Sequence, residues 1–439
     1  MRFMAAEVAR AVSGELVGAN AHLEGVSFDS RSITPGQLFV PIVAQRDGHE
    51  FIADALSRRA GAYLTELEPQ GRTAIKVVNT IAALLSLGTW ARERLSSQLQ
   101  GRVIGITGSV GKTSTKDFVA SALAISLRVH ANDRSFNNDF GLPTTILNAP
   151  DDTQVLVLEM GMRGFGEIAR LCSVAKPHIA VVTSVANAHT QQVGSIEGVA
   201  RAKRELIEAL PDDGAAILNA DNEYVLAMRN ATQARVVTFG ESEHADVQMT
   251  SCVLDDLGCA TITVKSPWGK VAMSMRMPGR HMAHNAMAAL CVAGVLELDV
   301  VKAAEAIASS HISPSRMQRR VLKSGTLVLD DSYNANPMSM RAALETLAII
   351  SGSRRIAFCG LMAELAEPTV DHLVIARHAL ELGIELIAVN TDLYGVTAIN
   401  FDEAKKLLAS LTSSDVALVK GSKVTGLATL CDGLEHSGV

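Results

Sequence analysis

The chain has 439 residues, 48% of them hydrophobic, with a net charge of −6 and only 4% aromatic residues. That length accommodates about three domains, each large enough to bury its own core. The acidic balance and the scarcity of aromatic rings argue against nucleic acid as a partner. The six cysteines are scattered, with no Cys-x-x-Cys pair, and read as small core residues of a reducing compartment rather than disulfides or zinc ligands. The N-terminus lacks a charged-then-apolar signal pattern, and no apolar run reaches membrane-spanning length. A cytoplasmic protein without membrane insertion is expected.

Residues 1–98 form a first α/β unit. Helical spacing at Val8, Ala11 and Val12 gives way to strand-like runs at Leu38–Val43, Ala62–Leu64 and Ile75–Val78, with helices expected at His49–Arg59 and Ile81–Leu95. Two polar turns stand out, Phe28–Arg31 and Gln45–His49. In the first, Ser30 and Arg31 are candidates for holding a substrate.

Residues 99–313 carry the densest chemistry. The run Val103, Ile104, Ile106 reads as a buried strand that breaks at Gly108 and Gly111, and Lys112, Thr113, Ser114 and Thr115 then open a helix. Glycines let successive N–H groups converge on an anion. The helix N-terminus adds its positive end, Lys112 a mobile charge and Thr113 a hydroxyl for magnesium. Gly108, Ser109, Gly111, Lys112, Thr113 and Ser114 are therefore assigned to a nucleotide phosphate cradle, although Ile106 stands where the full motif has its first glycine. Further strands are expected at Val155–Glu159, Ile179–Val185, Ala215–Asn219 and Val236–Phe239, separated mostly by helices, which predicts a largely parallel sheet. Polar residues then gather at the carboxyl ends of its strands, where such sheets bind ligands. Glu159 is a candidate magnesium ligand, and His189 a candidate for the same metal shell. Lys203 lies on the apolar stripe Ile196, Val199, Leu206, Leu210 of a helix spanning residues 196–210. An inward lysine must either snorkel or have a reason to be there. The alternating run from Asp246 to Met277 predicts an antiparallel appendage, and residues 284–296 a closing helix. His281 and His284 read as packing or polar surface.

Residues 314–439 begin a third series, with strands at Leu327–Asp330, Ile356–Cys359, Leu386–Val389 and Val416–Val419 and an amphipathic helix through Val370, Leu373, Val374 and Leu380. This predicts a second, smaller doubly wound domain. The polar string Asp330–Pro337 at a strand end reads as a ligand contact, and Lys420-Gly421-Ser422-Lys423 as an anion-binding corner.

Taken together, the strings GITGSVGKTSTKD, SFNNDFGLP, LEMGMRGFGEI, VANAHTQQVGS, ARAKREL, NADN, PGRHMAHNAMAAL, DDSYNANPMSM and LVKGSK resemble those of the Mur ligases, the ATP-dependent amide-forming enzymes of bacterial cell-wall precursor synthesis. DDSYNANP is similar to the branch that adds a D-alanyl-D-alanine dipeptide. The resemblance implies three domains: an N-terminal one holding the UDP end of the substrate, a P-loop ATPase-like central one and a Rossmann-like C-terminal one. It implies UDP-N-acetylmuramoyl-tripeptide and D-alanyl-D-alanine as substrates, ATP and Mg2+ as cofactors, and a monomer. Lys112 and Thr113 would hold ATP phosphates and magnesium, and Glu159 and His189 would serve the metal. Lys112, His189 and Lys203 would form the catalytic set, with Lys203 at the position of the lysine such ligases carbamylate. Asn285 would contact adenine, Arg316 the phosphates and Asp331 the ribose, while Ser30, Arg31, Asn137, Asn138, Asn334 and Asn336 would contact substrates. Met282, Leu361, Ala366 and Asn390 depart from the pattern, standing where asparagine, aspartate, glycine and glycine are common. Another ligase of the superfamily, such as a folylpolyglutamate-type enzyme, and a nucleotide-dependent switch are the alternatives. A switch would hold or hydrolyse ATP without an acceptor and an amine.

Overall fold

Val103, Ile104 and Ile106 are wholly excluded from solvent, and their strand, Val103–Thr107, is flanked on both sides by parallel partners, Val155–Glu159 and Ile179–Val182. Buried on both faces, such a strand is apolar throughout rather than alternating. The structure, a computed structural model, describes residues 1–133, 136–187 and 190–435.

The sheet around this strand has nine strands. From one edge they run Val129–Ala131, Val155–Glu159, Val103–Thr107, Ile179–Val182, Ala215–Asn219, Arg235–Gly240 and Val247–Leu254, all pairing parallel. Cys259–Ser266 and Gly269–Pro278 complete it antiparallel. The alternating run is thus an extension of the main sheet. Val129–Ala131 went unread in the sequence because it is only three residues long and half-buried. Helix Lys112–Leu123, which leaves the phosphate loop, packs against helices Arg280–Val295 and Val300–Ser309.

The first unit holds a five-stranded sheet ordered Glu15–Val17, Ala74–Lys76, Ala62–Thr65, Leu38–Phe39, Val26–Ser27. The expected run Leu38–Val43 stops at Phe39, because Pro41 lacks the N–H that a continuing ladder needs. Helix Thr80–Arg94 lies against helices Gly141–Asn148 and Glu167–Ala175 of the central unit. In the third unit, Gln318–Val321 pairs antiparallel with Leu327–Asp330, and Asp415–Lys420, Arg354–Cys359 and Glu385–Ala388 follow in parallel.

One expected face is reversed. Helix Pro368–Glu381 forms, but Val370, Leu373, Val374 and Leu380 are its exposed side chains, while His372, Ile375 and Ala379 are buried. The core accepts His372 because both ring nitrogens are engaged: Nε2 accepts the N–H of Met362 at 2.9 Å, and Nδ1 lies 2.5 Å from the carbonyl of Pro368. Its ring also packs edge-on against Tyr394. Among the described residues, no helix is long and apolar enough to cross a membrane.

Candidate active site

The phosphate loop follows directly on Thr107. In the sheet register Glu159 lies beside Ile106, and Val182 beside Thr107, so the loop emerges between two neighbouring strand ends. Ser109 and Val110 turn inward: their N–H groups bond the carbonyl and the hydroxyl of Ser184, and the Ser109 hydroxyl bonds the backbone of Ala186. The first-turn N–H groups of helix Lys112–Leu123 have no intrahelical partners, as at every helix start. Gly111 caps that helix at φ 84°. A Cβ there would lie 2.3 Å from Oδ1 of Asn285, so a glycine is what lets Asn285 seat against the loop. The Lys112 ammonium folds back to donate to the Gly108 carbonyl at 2.7 Å. Burial lowers its pKa, with Glu159 opposing and Arg316 adding to the shift.

Glu159 is 1% exposed. It accepts the Thr113 hydroxyl on Oε2 and the Asn137 amide on Oε1, both at 2.6 Å, and its own N–H bonds Oδ1 of Asn132. Among the described residues, both carboxylate oxygens meet only neutral donors and no salt bridge forms. A buried carboxylate oriented by neutral donors is an oxygen ligand of the kind a divalent cation takes. His189 lies outside the described residues. Lys203 falls on the buried side of helix Ile196–Glu208, as its stripe predicts, and is 1% exposed. It makes no hydrogen bond or ion pair among the described residues. Burial, aided by the nearby Lys112 charge, pushes its pKa well below the usual lysine range.

The third unit meets this centre through the segment 313–317. The Ser313 N–H bonds Asp117 at 2.7 Å, and Ser315 and Met317 flank Arg316 in left-handed conformations, φ 57° and 52°. The Arg316 guanidinium stacks 4.1 Å from the Tyr333 ring centroid, and its buried Nε has no partner. Asp331 accepts the Met317 N–H at 3.1 Å and the Lys420 ammonium at 2.5 Å, and Lys420 also donates to the Asn334 carbonyl. The Asn334 side chain is exposed, whereas Asn336 is buried and caps helix Pro337–Ile349. His281 was read as packing or surface. Its buried Nδ1 has no partner, and it lies in the field of Asp331 and Lys420. The signal for it was its spacing, one helical turn before Asn285 on the same helix.

Residues 106–293 match the profile of the Mur ligase middle domain, and residues 315–423 that of the Mur ligase glutamate ligase domain. The UDP-N-acetylmuramoyl-tripeptide–D-alanyl-D-alanine ligase of Escherichia coli K12 is 34% identical, over 97% of this chain and 97% of its own. The chain belongs to the Mur ligase family. The ligase of the same name from Mycobacterium bovis is 36% identical, over 93% of this chain and 91% of its own. Among solved structures, MurF from Acinetobacter baumannii superposes with a TM-score of 0.89 at 27% identity, covering 99% of each chain. MurF from Thermotoga maritima in complex with ADP superposes at 0.79 with 26% identity, covering 93% of this chain and 96% of that one.

In this Mur ligase, Lys112, Thr113, Glu159, Asn137, Lys203, Asn285 and Arg316 converge on one region. Asn138 stands beside it, capping helix Gly141–Asn148 through bonds to the N–H groups of Phe140 and Gly141. Ser30 and Arg31 belong to the separate turn of the first unit. Ser30 is buried and helps hold the Asp54 pKa down, while the exposed Arg31 makes a two-pronged pair with Asp29. His49, from the other polar turn, bonds Asp47 through Nδ1 and accepts the Glu66 N–H on Nε2, which holds the turn together. Two of the departures have a visible consequence. Asn390 adopts φ 55°, a conformation that glycine takes freely and asparagine tolerates best among other residues. Met282 is buried, with its sulfur 3.8 Å from the Asn285 amide nitrogen.

Proposed function

We propose that this protein is an ATP-dependent, ADP-forming amide ligase that joins D-alanyl-D-alanine to UDP-N-acetylmuramoyl-tripeptide in the cytoplasm. The observation that carries the reading is the buried Glu159 centre, linked through Thr113 to the phosphate loop, with the buried Lys203 and the half-buried Lys112 beside it. The names of the relatives at high coverage supply the substrates.

In this reading residues 1–98 hold the UDP end of the acceptor, residues 99–313 hold ATP, and residues 314–439 bring the amine. The acceptor's terminal carboxylate oxygen attacks the γ-phosphorus, the bond to the β-phosphate oxygen breaks, and ADP leaves. The amine nitrogen of D-alanyl-D-alanine then attacks the acyl carbon of that acyl phosphate and expels phosphate, losing a proton as the amide forms. Lys112 and the first-turn N–H groups offset charge on the phosphoryl oxygens in both steps. Arg316, stacked on Tyr333, carries a second cation to the same phosphates. Asp331 would bind the ribose and Asn285 the adenine.

Thr113, Glu159, His189 and a carbamylated Lys203 would hold Mg2+. When bound, the ion supplies positive charge against the phosphate oxygens. The environment of Lys203 suits carbamylation. Burial disfavours its ammonium, and only the neutral amine adds carbon dioxide, forming an N–C bond and releasing one proton. The product is an anion in a site that otherwise holds Lys112 and one carboxylate, Glu159.

The test is ADP formation with each substrate omitted in turn. Ligation requires acceptor and amine together. ADP released from ATP alone at the full rate would point instead to a switch or a simple hydrolase.

A further inference from the structure

Helix Gly141–Asn148 runs between the two ends of the acceptor path. Just before it, Asn137 bonds Glu159. At its last residue, the Asn148 amide grips the backbone of Val26: Oδ1 accepts the Val26 N–H at 2.8 Å, and Nδ2 donates to the Val26 carbonyl at 3.0 Å. Val26–Ser27 is an edge strand of the first unit's sheet, so this amide takes the place of a neighbouring strand and satisfies backbone groups an edge leaves open. The fit is close. A Cβ on Gly25, which sits at φ 73°, would lie 2.3 Å from Asn148 Oδ1.

The chain is held again on the far side of Ser27. The rings of Phe28 and Phe136 pack with centroids 5.4 Å apart. Phe136 lies immediately before Asn137, so both attachments belong to the segment that reaches Glu159. The turn Asp29–Arg31 is therefore tied to the Glu159 centre through one short helix, about 12 Å long at 1.5 Å per residue.

We infer that Asn148 is a positioning residue that fixes the separation between the turn receiving the UDP end and the centre where the terminal carboxylate reacts, and so selects the length of acceptor ligated. The inference rests on the proposed function. An acceptor anchored at one end delivers its carboxylate to the phosphate only when its span matches the site. Loosening the anchor weakens the match for the correct acceptor and narrows its advantage over a shorter one.

The experiment compares wild type, Asn148→Ala and Phe136→Ala in ADP formation with D-alanyl-D-alanine, using UDP-N-acetylmuramoyl-tripeptide and the corresponding dipeptide, with Tm measured alongside. The expected result is about a tenfold rise in KM for the tripeptide acceptor, an ATP KM within twofold of wild type, and about a tenfold loss of tripeptide-over-dipeptide selectivity. Phe136→Ala unloads the second attachment, at Phe28, through a partly exposed ring, and decides the matter if Asn148→Ala does not fold. Acceptor KM and selectivity within twofold of wild type in the folded variants, whatever their Tm, would overturn the role of Asn148 alone. A wild-type enzyme inactive with the tripeptide would overturn both this inference and the proposed function.

Discussion

The Thr113 hydroxyl donates to Glu159 at 2.6 Å, and this bond joins the first turn of the phosphate-loop helix to the end of the adjacent strand. It sets a nucleotide-binding element and a buried carboxylate in one centre before any ligand arrives. Asn137 holds the other carboxylate oxygen, so the carboxylate is oriented from both sides.

Glu159→Gln keeps a side chain of nearly the same shape and an acceptor for Thr113 while removing the charge. Turnover should fall by at least about a hundredfold, the loss expected for a single electrostatic catalytic group, with little change in Tm. Steady-state ADP release as a function of Mg2+ concentration checks this. Near-normal turnover at an unchanged Mg2+ requirement would remove Glu159 from the metal site.

Lys203→Ala should fold, bind ATP and lose most ligation. A high concentration of acetate should restore part of the activity by filling the vacated anion position. A lysine with a purely structural role gives the opposite pattern, with lowered stability, normal turnover per folded molecule and no response to acetate. Tm, turnover and acetate dependence on the one variant separate the two.

Most of the site could be read from the chain because its residues sit at strand ends, where the apolar run itself marks the position. Glu159 directly follows Val155–Leu158, and the phosphate loop directly follows Thr107. Lys203 was legible for a related reason, since a charged residue on an apolar helical stripe interrupts a regular pattern. Contacts between distant segments leave no such mark. Nothing local in the sequence ties Asn148 to Val26, and the orphaned Nδ1 of His281 depends on how the third unit packs against helix Arg280–Val295. The helix Pro368–Glu381 misled for the same reason. Its apolar residues offered one face, but tertiary hydrogen bonds to His372 decided which face was buried.

His281 gives the fold a dependence on acid. Burial lowers its pKa from 6.5 to about 4, with Asp331 opposing the shift and Lys420 and His284 adding to it. Between pH 6.5 and about 4 the unfolded chain takes up a proton that the native state does not, so stability falls as pH drops through that window. It is unaffected by this group above 6.5. The loss should reach roughly 3 kcal/mol. His281→Asn should flatten this limb in denaturant titrations across the window, and an unchanged slope would mean that the imidazole titrates normally in the folded protein.

The central claim is a particular amide bond, and the mass of the product tests it most directly. Purified protein, ATP and Mg2+ are incubated with UDP-N-acetylmuramoyl-tripeptide and D-alanyl-D-alanine, and in parallel with the UDP-dipeptide and lysine or diaminopimelate. The account predicts a UDP-linked pentapeptide, heavier than the tripeptide by D-alanyl-D-alanine less one water, with one ADP released per product. Efficient addition of lysine or diaminopimelate to the dipeptide, with D-alanyl-D-alanine ignored, would contradict it.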